Sequence, residues 1–302
     1  MTSTVGPALS LRGLTKYYGT SLGVEDVSFD VHAGEVVGFL GPNGSGKTTV
    51  LRMVTGLIGI TRGTMHLFGT PADRRSHDSR RFVGYLPGTL GLYQNQTVGE
   101  YLAFMARMRS VDCRGRIGEL CERLNLDPSL RISGLSKGTK QKVGVVQAFM
   151  HRPALLLLDE PTSGLDPLVQ REFESVLREE RERGAAVLLS SHVLAEVEQM
   201  ASRVAVLDRG HLVTIDDVST LKERTAHSVE FHFDAPVNSD PFARCAGVSS
   251  ATAHGNAVSC VVVGPQTELL ALAVSLGAQR VVSPEPTLEE IFFSLTRDRT
   301  DA

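Results

Sequence analysis

A lysine, a run of glycines and two neighbouring acids stand at spacings that suit phosphate chemistry. Gly41 to Thr48 reads GPNGSGKT and fits G-x-x-x-x-G-K-[ST] in full. It lies between the apolar run VVGFL and a segment with helical spacing, the context in which that pattern binds phosphate. Gly44 and Gly46 let backbone amides curl around phosphate oxygens, within a loop that also holds Gly41, Pro42, Asn43 and Ser45. Lys47 brings a point charge to the β- and γ-phosphates, Thr48 a hydroxyl for Mg2+, and Thr49 a further donor. The plain alternative is a glycine-rich turn with an incidental lysine, and the flanking elements weigh against it.

LLLLDEP, Leu155 to Pro161, puts two acids at the C-terminal end of a buried strand, where ligands of open α/β sheets gather. There Asp159 is expected to hold Mg2+ through its water shell, and Glu160 to polarise an attacking water as general base. Two solvated acids at a strand end would be the ordinary reading without the phosphate loop. His192 ends the next apolar run, VLLSSH, at the same expected sheet edge, which favours a γ-phosphate contact over a purely structural role. A second anion-facing helix start follows GLSKGTKQK, where Ser136, the amide of Gly138 and the helix dipole form an anion site.

The elements that must position these groups alternate. Apolar runs at VVGFL, ALLLLDEP and AAVLLSSH read as buried strands, separated by helical patterns, so a largely parallel sheet is expected. From Leu9 to Gly41 short strands with turn punctuation are expected, then a helix from about Lys47 to Leu57, and strand-like runs at TMHLFGTPA and RRFVGYLP. Residues from about 88 to 150 carry three helical patterns and read as a helical insertion. RVAVLDRGHLVTIDD reads as a hairpin turning at DRGH. Near Thr220 to Thr225 the pattern breaks. The division expected is 1–225 for the phosphate-binding domain and 226–302 for a small α+β domain without a catalytic constellation.

Bulk properties narrow the partners. A net charge of −3 implies no nucleic-acid binding through an overall basic balance. Four cysteines without C-x-x-C spacing read as reduced cytosolic thiols or buried small hydrophobes, not a zinc site or disulfide framework. The N-terminal residues lack the basic-then-apolar order of a signal peptide, and no apolar run reaches the ~18–20 residues of a membrane span.

Together these motifs resemble the ATPase subunit of ATP-binding cassette (ABC) transporters over about residues 9–220. The resemblance implies a P-loop NTPase core with a parallel sheet, an antiparallel β subdomain and a helical subdomain, with ATP and Mg2+ as cofactors. LSKGT, Leu135 to Thr139, resembles the family signature, which faces ATP held by a second subunit; two chains then lie head to tail around two ATP molecules. In KYYG the resemblance makes Tyr18 the better candidate for stacking on adenine, with Tyr17 as the other. SGLD, ending at Asp166, resembles the loop that crosses the dimer interface.

The closing PTLEEIFFSLTRD resembles, more weakly, the tail of ATPases paired with ABC-2-type and drug-resistance exporters. The implied partners are a second ABC ATPase chain, identical or not, and a membrane permease on whose cytoplasmic face this chain sits. LPGTLGLYQNQTVGEYL is the expected docking segment. The chain departs from the family pattern at Gly88, where glutamine is usual, at Lys137, where glycine is usual, and at Thr139, where glutamine is usual. Gly88 favours one alternative, a degenerate cassette that gates with little turnover; the other is a non-transport ABC ATPase, against which stand the single phosphate loop and the lack of sustained heptads between Thr48 and Leu135.

Overall fold

The computed structural model describes residues 6–297. The chain divides into two compact units, Met1–Ile215 and Asp216–Ala302. In the first unit the order is β1 (Leu9–Tyr18), β2 (Ser21–Val31), β3 (Val36–Leu40), α1 (Lys47–Val54), β4 (Arg62–Leu67), β5 (Thr70–Pro71), α2 (His77–Arg80) and β6 (Val83–Leu86). Helices α3 (Val98–Arg109), α4 (Arg114–Arg123) and α5 (Lys137–Phe149) form the helical insertion. Then come β7 (Leu155–Asp159), α6 (Pro167–Glu182), β8 (Ala186–Ser190), α7 (Leu194–Met200), β9 (Arg203–Asp208) and β10 (His211–Asp217), the strand on which the first unit ends.

One sheet runs β5-β4-β1-β2-β10-β9-β3-β8-β7-β6. The pairs β9–β3, β3–β8, β8–β7 and β7–β6 are parallel, whereas β1 pairs antiparallel with β2 and β4. Strands β3, β7 and β8 are buried at every position, which is why their sequences are unbroken apolar runs. Their C-terminal ends share one edge, and the loops leaving that edge carry the phosphate loop, Glu160 and His192.

Two expectations need correction here. The first part of the chain holds two long strands of 10 and 11 residues, not several short ones. Gly13 sits in a bulge with φ +59°, where the β1–β2 register shifts and both strands continue. Conversely, TMHLFGTPA is not one strand. Phe68 and Gly69 both take left-handed φ and turn it into the β4–β5 hairpin. The β9–β10 connection is Arg209–Gly210, again two left-handed residues, as a tight hairpin requires.

The second unit holds α8 (Val218–Arg224), β11 (His227–His232), α9 (Asp240–Ala243), β12 (Val248–His254), β13 (Ala257–Val262), α10 (Thr267–Ser275), β14 (Arg280–Val282) and α11 (Leu288–Arg297). Its sheet, β12-β13-β11-β14, is antiparallel and packs Phe231, Phe233 and Phe242 with Val258, Val262 and Leu269. Strand β12, SSATAH after its first valine, is largely exposed and has no apolar alternation, so no strand is legible there in the sequence.

Candidate active site

The phosphate loop and the two acids meet in one cavity of about 490 Å³. Asn43, Gly44, Ser45, Gly46, Lys47, Thr48 and Thr49 line it together with Asp159, Glu160 and Tyr18. Helix α1 starts directly off Gly46, whose φ is +108° and whose absent Cβ would fall 2.3 Å from Val24 Cγ1. Only glycine fits that approach, and it aims the free amides of the first helical turn into the cavity.

Lys47, Thr48 and Asp159 are held from inside the chain. Thr48 Oγ1 donates to Asp159 Oδ2 at 2.8 Å, and Ser190 Oγ donates to Asp159 Oδ1 at 2.6 Å. Both carboxylate oxygens are therefore fixed. Lys47 is 7% exposed and its Nζ donates to the carbonyls of Gly41 at 2.6 Å and Pro42 at 3.1 Å. Burial lowers the Lys47 pKa, and the charges of Glu160 and Asp159 act in the opposite direction. Ser45 Oγ is buried without a hydrogen-bond partner, an orphan that a phosphate oxygen would satisfy.

Glu160 sits just beyond β7 with φ +53°, an uncommon conformation for a residue with a long side chain. Its Oε2 lies 2.5 Å from His192 Nδ1. A carboxylate only accepts, so Nδ1 carries the proton of this bond. His192 is thus placed on Glu160, not on the cavity wall, and its side chain is largely exposed.

Mg2+ fits this donor set. Thr48 and Asp159 present hard oxygens side by side, and among the described residues no group of three His, Cys, Asp or Glu forms a cage of its own. A cation that keeps waters and shares phosphate oxygens needs no such cage. Gly88 also lines the cavity, and a Cβ there would lie 3.2 Å from Asp159 Oδ2, so this backbone packs closely against the carboxylate.

Gly41 and Pro42, whose carbonyls hold Lys47, and His192 lie outside the cavity lining, as do Ser136, Gly138 and Asp166. Ser136 caps α5, accepting from Thr139 N at 3.1 Å. Gly138 packs on the SGLD loop so closely that a Cβ would fall 2.3 Å from Gly164 O. Asp166 caps α6, accepting from Val169 N at 3.0 Å. Of the two tyrosines, Tyr18 lines the cavity, while the Tyr17 hydroxyl donates to Glu25 at 2.8 Å.

Sequence reasoning missed Arg52, Tyr85 and Thr89, which line the cavity, and Ser190, which holds Asp159. Arg52 is four residues after Thr48, one helical turn on, so spacing could have found it. Ser190 is a polar residue ending an otherwise apolar buried strand, a signal of the same kind.

A family profile described as ABC transporter matches residues 24–163. An uncharacterized ABC transporter ATP-binding protein of Bacillus subtilis, YxlF, is 38% identical over 226 residues, covering 73% of this chain and 75% of that one. The bacitracin transport ATP-binding protein BcrA of Enterococcus faecalis is 38% identical, covering 74% of this chain and 73% of its own. The Nod factor export ATP-binding protein I of Rhizobium meliloti is 32% identical over 300 residues, covering 96% and 88%. Among solved structures, the ATP-binding subunit of an ABC transporter superposes with a TM-score of 0.68 at 31% identity, covering 71% of this chain and 92% of that one. A dimeric ATP-binding cassette in a post-hydrolysis state with ADP and phosphate superposes at 0.61 with 21% identity, covering 70% and 98%, and attests the fold alone.

Proposed function

The chain belongs to the ATP-binding proteins of ABC transporters, and on that premise we propose that it binds and hydrolyses ATP as one half of a head-to-tail pair that drives a separate membrane permease. One observation carries the reading. Lys47, Thr48, Asp159 and Glu160 meet in a single cavity, while the anion-facing start of α5 at Ser136 lies outside that cavity's lining. A site built from both is complete only when a second copy, or another cassette, supplies the α5 start.

Lys47 and the loop amides would bind the phosphates, and Thr48 with Asp159 would hold Mg2+, which supplies charge neutralisation on the phosphoryl oxygens. Glu160 would accept the proton of the attacking water, with His192 fixing its carboxylate. Tyr18 would stack on the adenine. Residues 1–225 would form this ATPase domain and 226–302 an accessory domain.

No described helix is long and apolar enough to cross a membrane, so the translocation path would belong to the permease. The segment from Leu86 to Tyr101 would dock it, with Tyr93 exposed on that stretch. Export is favoured by the relatives named for bacitracin transport and Nod factor export.

The test is light scattering on Glu160→Gln with ATP and Mg2+, beside steady-state hydrolysis by the wild type. The expected result is ATP-dependent doubling of mass, abolished by Ser136→Arg, with wild-type turnover that Glu160→Gln removes. ATP binding without turnover in the wild type would instead favour a gating cassette, the reading that Gly88 raises.

A further inference from the structure

Helix α5 does more than present its first turn. Gln141, 6% exposed, lies one turn past the cap and points back into the same unit. Its Nε2 donates to the carbonyl of Glu160 at 3.0 Å and to the carbonyl of Pro161 at 3.0 Å. One amide nitrogen has two protons, and here both are spent on consecutive backbone oxygens. With two carbonyls as partners the side chain can only present its NH2 end.

The turn it grips is under tension. Glu160 holds a left-handed φ of +53° immediately before Pro161, a conformation that persists only where neighbours over-determine it. Three bonds do so: Gln141 to the Glu160 carbonyl, Ser163 N to the same carbonyl at 3.2 Å, and Glu160 N to Ser190 O at 3.0 Å. The first turn of α5 touches the rest of the loop as well. Gly138 meets the Gly164 carbonyl, and Lys137 Nζ lies 3.3 Å from Ser163 Oγ. The helix therefore contacts the 160–164 segment at three points, and a shift of its first turn is carried to Glu160 through a rigid rod.

We propose that Gln141 is a positioning residue: it fixes the backbone of Glu160 so that the carboxylate meets the attacking water, and it couples that geometry to engagement of the α5 start by a second copy's nucleotide. The proposal rests on the reading of Glu160 as general base. Each cassette of a pair would then have its own base aligned only when its α5 holds the phosphate in the opposite site. Hydrolysis would be linked to closure without any contact from the closing phosphate to Glu160 of the same chain.

Three variants of the full chain decide it. Gln141→Met keeps the volume and removes both donors. It is expected to lower kcat about tenfold or more while KM and ATP affinity stay within about twofold. Amide exchange across 160–166 is expected to quicken without a general change elsewhere in the first unit. Gln141→Glu places a carboxylate against two carbonyls, and burial raises such a group's pKa. Its turnover relative to wild type at the same pH is expected to recover as pH falls, because the protonated acid donates one bond again. Near-wild-type kcat in Gln141→Met, a parallel loss of ATP affinity and thermal midpoint, unchanged exchange at 160–166, or a flat pH ratio in Gln141→Glu would each overturn the proposal. Glu160→Gln separates the two readings. If it keeps turnover, the general-base assignment falls; if it loses turnover while the Gln141 variants do not, only the Gln141 role falls.

Discussion

The two units bury different things. Among the described residues, every buried polar or charged side chain belongs to the first unit, Lys47, Gln141, Asp159 and Ser190 included. The second unit's interior is Phe231, Phe242, Val258, Leu269 and their apolar neighbours, with two thiols, Cys245 and Cys260. Burial raises both thiol pKa values, that of Cys260 to about 11, so they pack as small hydrophobes. A buried polar group destabilises a fold unless it is bonded; in the first unit Lys47, Gln141, Asp159 and Ser190 are bonded where β3, β7 and β8 end, while Arg116 and Glu180 form a buried pair between α4 and α6. The contrast separates a unit that carries chemistry from one built by apolar packing.

Breaking each interior should have different consequences. Lys47→Met should lower hydrolysis about 10²–10³-fold, because it removes charge from the transferring phosphates, with little change in unfolding midpoint. Phe242→Ala, at a fully buried ring 5.5 Å from that of Phe231, should destabilise the second unit by about 3–5 kcal/mol. Denaturant unfolding would read the stability, and turnover per folded molecule should stay within about twofold. Turnover that fell with Phe242→Ala would break the contrast, by giving the second unit a hand in shaping the site.

A smaller effect comes from His151. Burial, with Arg109 nearby, lowers its pKa to about 4, while its Nε2 bonds the Val83 carbonyl at 3.2 Å. The folded-state value is below the unfolded one, so the unfolded chain binds the extra proton first. The contribution is full above the unfolded value of 6.5 and is lost as pH falls toward 4. Between about pH 7.5 and pH 5 the first unit should lose about 2 kcal/mol through this group. In His151→Gln that part of the pH dependence should vanish.

The smallest effects should be equal in the two units. Thr97 and Glu100 form a capping box at α3, and Thr287 and Glu290 bond reciprocally before α11. Thr97→Ala and Thr287→Ala should each cost about 1 kcal/mol in their own unfolding transitions. Unequal costs would show that one of these helices is held mainly by packing.

The phosphate loop, the two acids at the end of β7, His192 and the start of α5 were legible in the sequence, because each is a local pattern of backbone freedom, charge and apolar periodicity. The buried parallel strands were legible for the same reason: burial on both faces leaves an unbroken apolar run. Strand β12 was not, since an exposed strand with small polar residues carries no period. Nor were the partners of the site legible. Ser190 lies 31 residues from Asp159 and Gln141 lies 19 from Glu160. Which atoms meet across such separations depends on the register of β7 with β8 and on where α5 packs. Local propensity decides which segments become strands and helices; only the packed arrangement of the sheet and α5 decided that Asp159 is held at both oxygens and that Glu160 is held by the helix start that faces outward.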